Sequence, residues 1–143
     1  MNKLGIVLGA GTVIVVIALV VSSLLYAPGP TRYTLTPSSL TIHDRFYPVT
    51  LQVTDVDAEH IRVVDIDREQ GWQPTERTDG FGSLHYHSGW FRVSSGKVLR
   101  IYRADGRRLV LLPPKGDHET VLLETKEPEK FVREITQLWA HPH

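Results

Sequence analysis

The stretch Trp90 to Leu112, "WFRVSSGKVLRIYRADGRRLVLL", decides the fold. Its runs Trp90–Val93, Val98–Arg103 and Arg108–Leu112 are short and rich in β-branched and aromatic side chains, so each reads as a strand. Between them lie "SSGK" (Ser94–Lys97) and "ADGR" (Ala104–Arg107). Asp-Gly in particular serves tight turns that need positive φ. The expectation is two successive hairpins joining three neighbouring strands.

Outward from this centre the same texture continues. Tyr33–Thr36, Leu40–His43, Val49–Val53, Ile61–Ile66 and Thr120–Thr125 read as further strands with short, turn-rich separators. The period then changes. In "EPEKFVREITQLWA" (Glu127–Ala140), Phe131, Ile135 and Leu138 fall at i, i+4 and i+7, with Val132 and Trp139 beside them. Pro128 suits a first helical turn, where its missing N–H is not needed. The sequence thus predicts an antiparallel sheet or barrel capped by an amphipathic C-terminal helix.

At the other end, Leu4 to Tyr26 carries no charged residue. A run of this kind exceeds the roughly 20 apolar residues that cross a hydrocarbon core as a helix. A cleaved leader is the rival reading; against it stand the length of the run and the lack of a small-x-small site in "SSLLYAPGP". The expectation is a retained single-pass anchor over 1–26, a Pro/Gly hinge over 27–32, a domain over 33–140 and a tail over 141–143. The short N-terminal flank suits a cytoplasmic N-terminus and an extracytoplasmic domain, although Lys3 on one side and Arg32 and Arg45 on the other discriminate little. Gly5 and Gly9 form a G-x-x-x-G pair that could bring two such helices close together.

Sixteen basic and sixteen acidic residues cancel, which argues against nucleic acid as a partner and against a polybasic grip on anionic lipid. Without cysteine, disulfides, thiolate nucleophiles and cysteine-bound zinc are excluded.

The segments "VVDIDREQGWQPTERTDGFGSLHYHSGWFRV", "VLRIYRADGRRLVLLPP" and "VLLETKEPEKFVREI" resemble a family of bacterial pleckstrin-homology (PH) domains, often membrane-attached and largely without assigned function. The most specific parts are Arg77, Gly80 and Gly82 in an Arg-x-x-Gly-x-Gly segment, Gly89–Trp90–Phe91, and the Pro-Glu-x-Phe opening of the last helix. The resemblance implies a PH-like barrel of about seven antiparallel strands with a C-terminal helix, and a binding or assembly module rather than an enzyme. It extends from about Tyr33 to Trp139. Glu127 stands where the family tends to have Asp, a better N-cap. Phosphoinositide-binding relatives use several basic residues around the first hairpin, whereas "HDRFYP" offers only Arg45, so that ligand is not carried over.

The candidate sites are modest. His85 and His87, two apart, would lie about 7 Å apart on one strand face and could share a metal. A metal needs more ligands than these, and neither a metal nor a cofactor is expected. Gly80, Gly82 and Gly89 read as structural glycines of a chain reversal; no phosphate-cradling context surrounds them. Arg77, Tyr86, His87 and Trp90, and the arginines Arg103, Arg107 and Arg108, are the candidate partner-binding residues; Trp90 as core and the arginines as a solvated turn are the plainer alternatives. The pairs Asp55/Asp57 and Asp65/Asp67 lack the continuation of a calcium loop and read as the polar face of half-buried strands. No serine-nucleophile elbow or metalloprotease helix occurs, and no catalytic residue is assigned. Three functions follow in order: a membrane-tethered binding or self-assembling module, a sensor of a lipid headgroup or small ligand through 77–91 or 103–108, and a metal-dependent enzyme.

Overall fold

The computed structural model describes residues 3–140, with side chains from Gly9 onward. Helix α1 (Lys3–Leu24) is followed by strands β1 (Arg32–Leu35), β2 (Ser39–His43) and β3 (Val49–Gln52). After short 3-10 turns come β4 (Arg62–Asp65), β5 (Pro74–Gly82), β6 (His87–Val93), β7 (Val98–Arg103), β8 (Arg108–Leu112), β9 (Val121–Leu123) and helix α2 (Pro128–Trp139).

The first three strands form a meander, β1-β2-β3, and the other six form a second sheet in the order β4-β8-β9-β7-β6-β5. This corrects the expected closed barrel of about seven antiparallel strands: among the described residues there are two separate sheets, and β7 pairs with β9 in parallel. The additional strand is β5, whose glycines and polar residues hide its extended character.

The Ser94–Lys97 hairpin forms between β6 and β7, with Gly96 at φ 91° and its N–H donating to Val93 O at 2.9 Å. The second expected hairpin does not. β9 inserts between β7 and β8, pairing with Tyr102 on one side and Val110 on the other through Leu123. Residues 104–107 therefore form a wider connection, held by Glu124: its carboxylate accepts the Ala104 N–H at 2.5 Å. The apolar "VLL" of β9 is suited to this place because all three residues are buried between neighbours.

One core layer joins Leu40 and Ile42 of β2 to Tyr102, Val110, Leu112, Val121 and Leu123 of the larger sheet and to Phe131, Ile135 and Trp139 of α2. Trp139 rather than Leu138 holds the buried face of the last turn, and its Nε1–H donates to Thr36 O at 2.9 Å. Burying so large an aromatic supplies much apolar area at one point. Pro128 begins the helix as expected, and Glu127 makes no side-chain cap.

The opposite face of the larger sheet carries Val64, Ile66, Phe91, Val93, Leu99, Ile101, Leu109, Leu111 and Leu122, with Trp72 packed against them. The β4–β5 connection runs from one sheet edge to the other and is tied to the β6–β7 turn by Ser94 N–H to Gln73 O at 2.8 Å.

The expected transmembrane anchor is also corrected. Among the described residues no helix is long and apolar enough to cross a membrane. What is described of α1 is exposed and mostly aliphatic, as at Val13, Ile14, Ile17, Leu19 and Val20, with Thr12, Ser22 and Ser23 among these residues. Gly5 of the G-x-x-x-G pair and the 141–143 tail lie outside the described side chains. The 27–32 segment holds Gly29 at φ 78°, and β1 already begins at Arg32.

Asp55 lies in a 3-10 turn, where it accepts the Gln52 N–H at 2.8 Å, and Asp57 precedes the next such turn. Asp65 ends β4 and accepts the Asp67 N–H at 3.0 Å. These aspartates therefore stabilise turns rather than line the polar face of strands.

Candidate functional site

The quoted signals of the 77–91 segment separate once the chain folds. Tyr86 ends the turn between β5 and β6 and is 1% exposed. Its hydroxyl donates to the Asp44 carboxylate and meets Thr31 Oγ1 at 2.6 Å. Asp44 Oδ2 also accepts the Phe46 and Tyr47 backbone N–H groups, at 3.1 and 2.8 Å. Burial first, and the carboxylate second, push the Tyr86 hydroxyl well above the ordinary phenol range, so it remains a donor. Tyr86 is a latch between three chain segments.

Beside it the end of α1 is docked on the domain. Leu84 N–H donates to Leu24 O at 3.0 Å, and Ser83 Oγ donates to Tyr26 O at 2.6 Å. The Tyr26 ring meets Phe46, Phe81 and Tyr86 edge-on, while Phe46 stacks on Phe81 at 4.1 Å. Arg45, the lone basic residue of its loop, covers this collar with its guanidinium 5.4 Å from the Phe46 ring centre.

Trp90 faces the other side of the sheet from Arg77. Its indole N–H donates to Glu119 at 2.9 Å, the Arg100 guanidinium sits 4.3 Å from its ring centre, and Tyr47 meets it edge-on. Arg107 pairs with Asp67 at 3.3 Å and Arg108 with Glu129, so both stand apart from the 77–91 segment.

Arg77, His87 and Arg103 are brought together. The register sets Gly82, His87 and Arg103 side by side across β5, β6 and β7, and Arg77 four rungs away beside Phe91, on the same face. All three basic residues line a groove of about 520 Å³ that also takes in Leu24, Leu84, Phe91 and Ile101. Gly82 makes room for this: a Cβ there would lie 3.2 Å from an Arg77 guanidinium nitrogen and 3.3 Å from the His87 ring.

Burial, then Arg103 and Arg77, hold the His87 imidazole below its ordinary pKa, with Asp105 opposing. His87 Nδ1 is buried and has no hydrogen-bond partner. His85 lies in the turn, turned to Asp105 at 3.2 Å, so the two histidines occupy different settings. Among the described residues no group of three His, Cys, Asp or Glu could hold a metal ion.

Of the three expected structural glycines only Gly89 has positive φ, 107°. It faces Gly80 across the β5–β6 pair, and a Cβ on Gly89 would fall 2.6 Å from Gly80 Cα. Gly80 and Gly82 serve close approach within β5, while the reversal itself is made by Ser83–Tyr86, closed by Ser83 N–H to Tyr86 O at 2.8 Å.

A family model described as a bacterial PH domain matches residues 31–139, which is most of the chain. The chain belongs to the bacterial PH domain family. Neither curated proteins nor solved structures give a match. In this PH domain the match begins at Thr31, the residue whose hydroxyl meets Tyr86, and ends at Trp139, whose indole ties α2 to Thr36. Sequence reasoning missed Leu24 and Leu84 as companions of the basic residues; their only signal is that Leu84 is a large apolar residue in a polar turn, 64% exposed.

Proposed function

We infer that this PH domain is a non-catalytic binding or assembly module, held at a membrane by the apolar surface of α1. The carrying observation is the junction. A helix whose described surface is exposed aliphatic side chains ends in hydrogen bonds and ring contacts with the domain, so whatever covers the helix positions the domain. Bare aliphatic surface of this extent is covered in water by protein or lipid. Attachment is the claim, and it requires no complete span.

Ligand sensing is the second reading. The 77–91 segment is favoured for it by the groove; the 103–108 connection contributes Arg103, while Arg107 and Arg108 are engaged by carboxylates.

The test is flotation of the full chain with vesicles of phosphatidylcholine alone. The chain should float with them, and Ile17→Asp with Val20→Asp should leave it at the bottom of the gradient, since each acid is strongly disfavoured in an apolar phase. Equal flotation of wild type and variant, or no flotation of either, would sink the proposal. In cells, Ser95→Cys in the exposed β6–β7 turn reports the side on which the domain lies: reaction with an impermeant maleimide before lysis supports the extracytoplasmic face, reaction only after lysis the cytoplasmic one.

A further inference from the structure

The geometry points to the groove between the end of α1 and strands β5–β7 as a binding site for a phosphate-bearing amphiphile, its head held by Arg77, Arg103 and His87 and its apolar part lying against Phe91, Ile101, Leu24 and Leu84. This inference rests on the membrane attachment proposed above, because Leu24, the last residue of α1, forms part of the groove wall.

Charge is the first argument. Two arginines line one cavity, and the carboxylates close by are engaged elsewhere. Glu76, which also lines the groove, pairs with Arg92 at 3.4 Å, and Asp105 is turned to His85. Arg103 spends its Nε–H on Gly106 O at 2.7 Å, which fixes the guanidinium while leaving its terminal nitrogens for another acceptor. Among the described residues Arg77 forms no ion pair. Two guanidinium groups in a groove whose one lining carboxylate, Glu76, is already paired with Arg92 favour an anion, and phosphate suits their planar forks.

The second argument is His87. It lines the groove between the two arginines, and its ring lies against Gly82. Depressed by burial and by both arginines, the imidazole would regain its proton beside a bound anion.

The third is the apolar remainder. Phe91 and Ile101 of the core supply the floor and the exposed Leu84 and Leu24 the wall, and a bare inorganic anion would leave these two leucines wet. A volume of about 520 Å³ lies within the range of small-ligand sites and exceeds the needs of a single phosphate.

The experiment follows the Arg77 and Arg103 Nε–H and Gly82 amide signals of the full chain in dodecyl maltoside micelles by NMR. The probes are dihexanoyl phosphatidic acid, dihexanoyl phosphatidylcholine and inorganic phosphate. Phosphatidic acid should shift all three signals saturably. Phosphatidylcholine should not, and inorganic phosphate should bind at least about tenfold more weakly. Arg77→Gln or Arg103→Gln should weaken phosphatidic acid binding by about tenfold or more, as expected for a lost charged hydrogen bond. Leu84→Ser, at an exposed turn and so harmless to folding, should weaken phosphatidic acid but leave phosphate unchanged. Absence of a saturable shift, arginine variants that bind like wild type, or phosphate binding as tightly as phosphatidic acid would each overturn the proposal. Because the micelle assay needs no bilayer and the flotation assay contains no anionic lipid, the two proposals can fail separately.

Discussion

Replacing Tyr86 by Phe removes one oxygen from a site that three chain segments share. The ring itself stays packed against Tyr26, so no cavity of any size opens. What changes is hydrogen bonding: Asp44, 6% exposed, loses the phenolic donor, and Thr31 Oγ1 loses its partner. A hydrogen bond to a charged group contributes about 1.5–3 kcal/mol net, and leaving the buried acceptor short keeps the loss near the upper part of that range. The expected destabilisation is about 2–3 kcal/mol, a factor of roughly 30 to 150 in the folding equilibrium. Urea unfolding of the full chain in neutral detergent, followed by tryptophan fluorescence, measures it. Tyr102→Phe is the internal comparison. Tyr102 is buried too, and its hydroxyl donates to the neutral Tyr47 carbonyl at 2.5 Å, so its loss should be nearer 1 kcal/mol. If Tyr86→Phe is no more destabilising than Tyr102→Phe, the charged latch is not what secures the 31–44–86 junction.

Gly89→Ala should destabilise by more than about 2 kcal/mol in the same urea assay, because it combines a left-handed backbone with a Cβ driven into Gly80; a loss within that of an exposed Ser95→Ala control would contradict the register. For His87, whose folded pKa is depressed from 6.5, the neutral form is the one the fold accepts. Stability is therefore complete above the unfolded value and is lost as pH falls through the folded one. The charged groups around it are Arg77, Arg103 and Asp105, so unfolding midpoints should fall as pH drops below about 6.5 and fall less in His87→Gln. Equal slopes for the two proteins would refute it.

Local sequence carried much of the fold because its main elements announce themselves by period. The β6–β7 hairpin was legible in Ser94–Lys97, and α2 in the spacing of Phe131 and Ile135. Strand β5 was not legible: its polar residues lie on an exposed edge and its glycines answer to Gly89 and His87 across the ladder, partners that local propensity does not contain. The β7–β8 hairpin failed for a related reason. Asp105–Gly106 marks a turn correctly, but whether the strands it joins are neighbours depends on β9, which comes later in the chain and takes the place between them.

The same distinction explains the site. Arg77, His87 and Arg103 were each recognisable as residues that could bind, yet so were Tyr86, Trp90, Arg107 and Arg108. Only pairing separates the two sets. The β5–β6–β7 register carries Gly82, His87 and Arg103 onto one rung, while alternation along β6 sends Trp90 to the opposite face, to Glu119 and Arg100. A shift of β6 by one residue would exchange His87 for Ser88 and Phe91 for Trp90, turning a desolvated basic groove into a neutral one and exposing part of the second core. That register is fixed in turn by the facing pair Gly80 and Gly89, where a side chain has no room. The glycines that shape the sheet and the basic residues that could hold an anion are thus coupled through one pairing, so a substitution at Gly89 should disturb the groove although Gly89 does not line it.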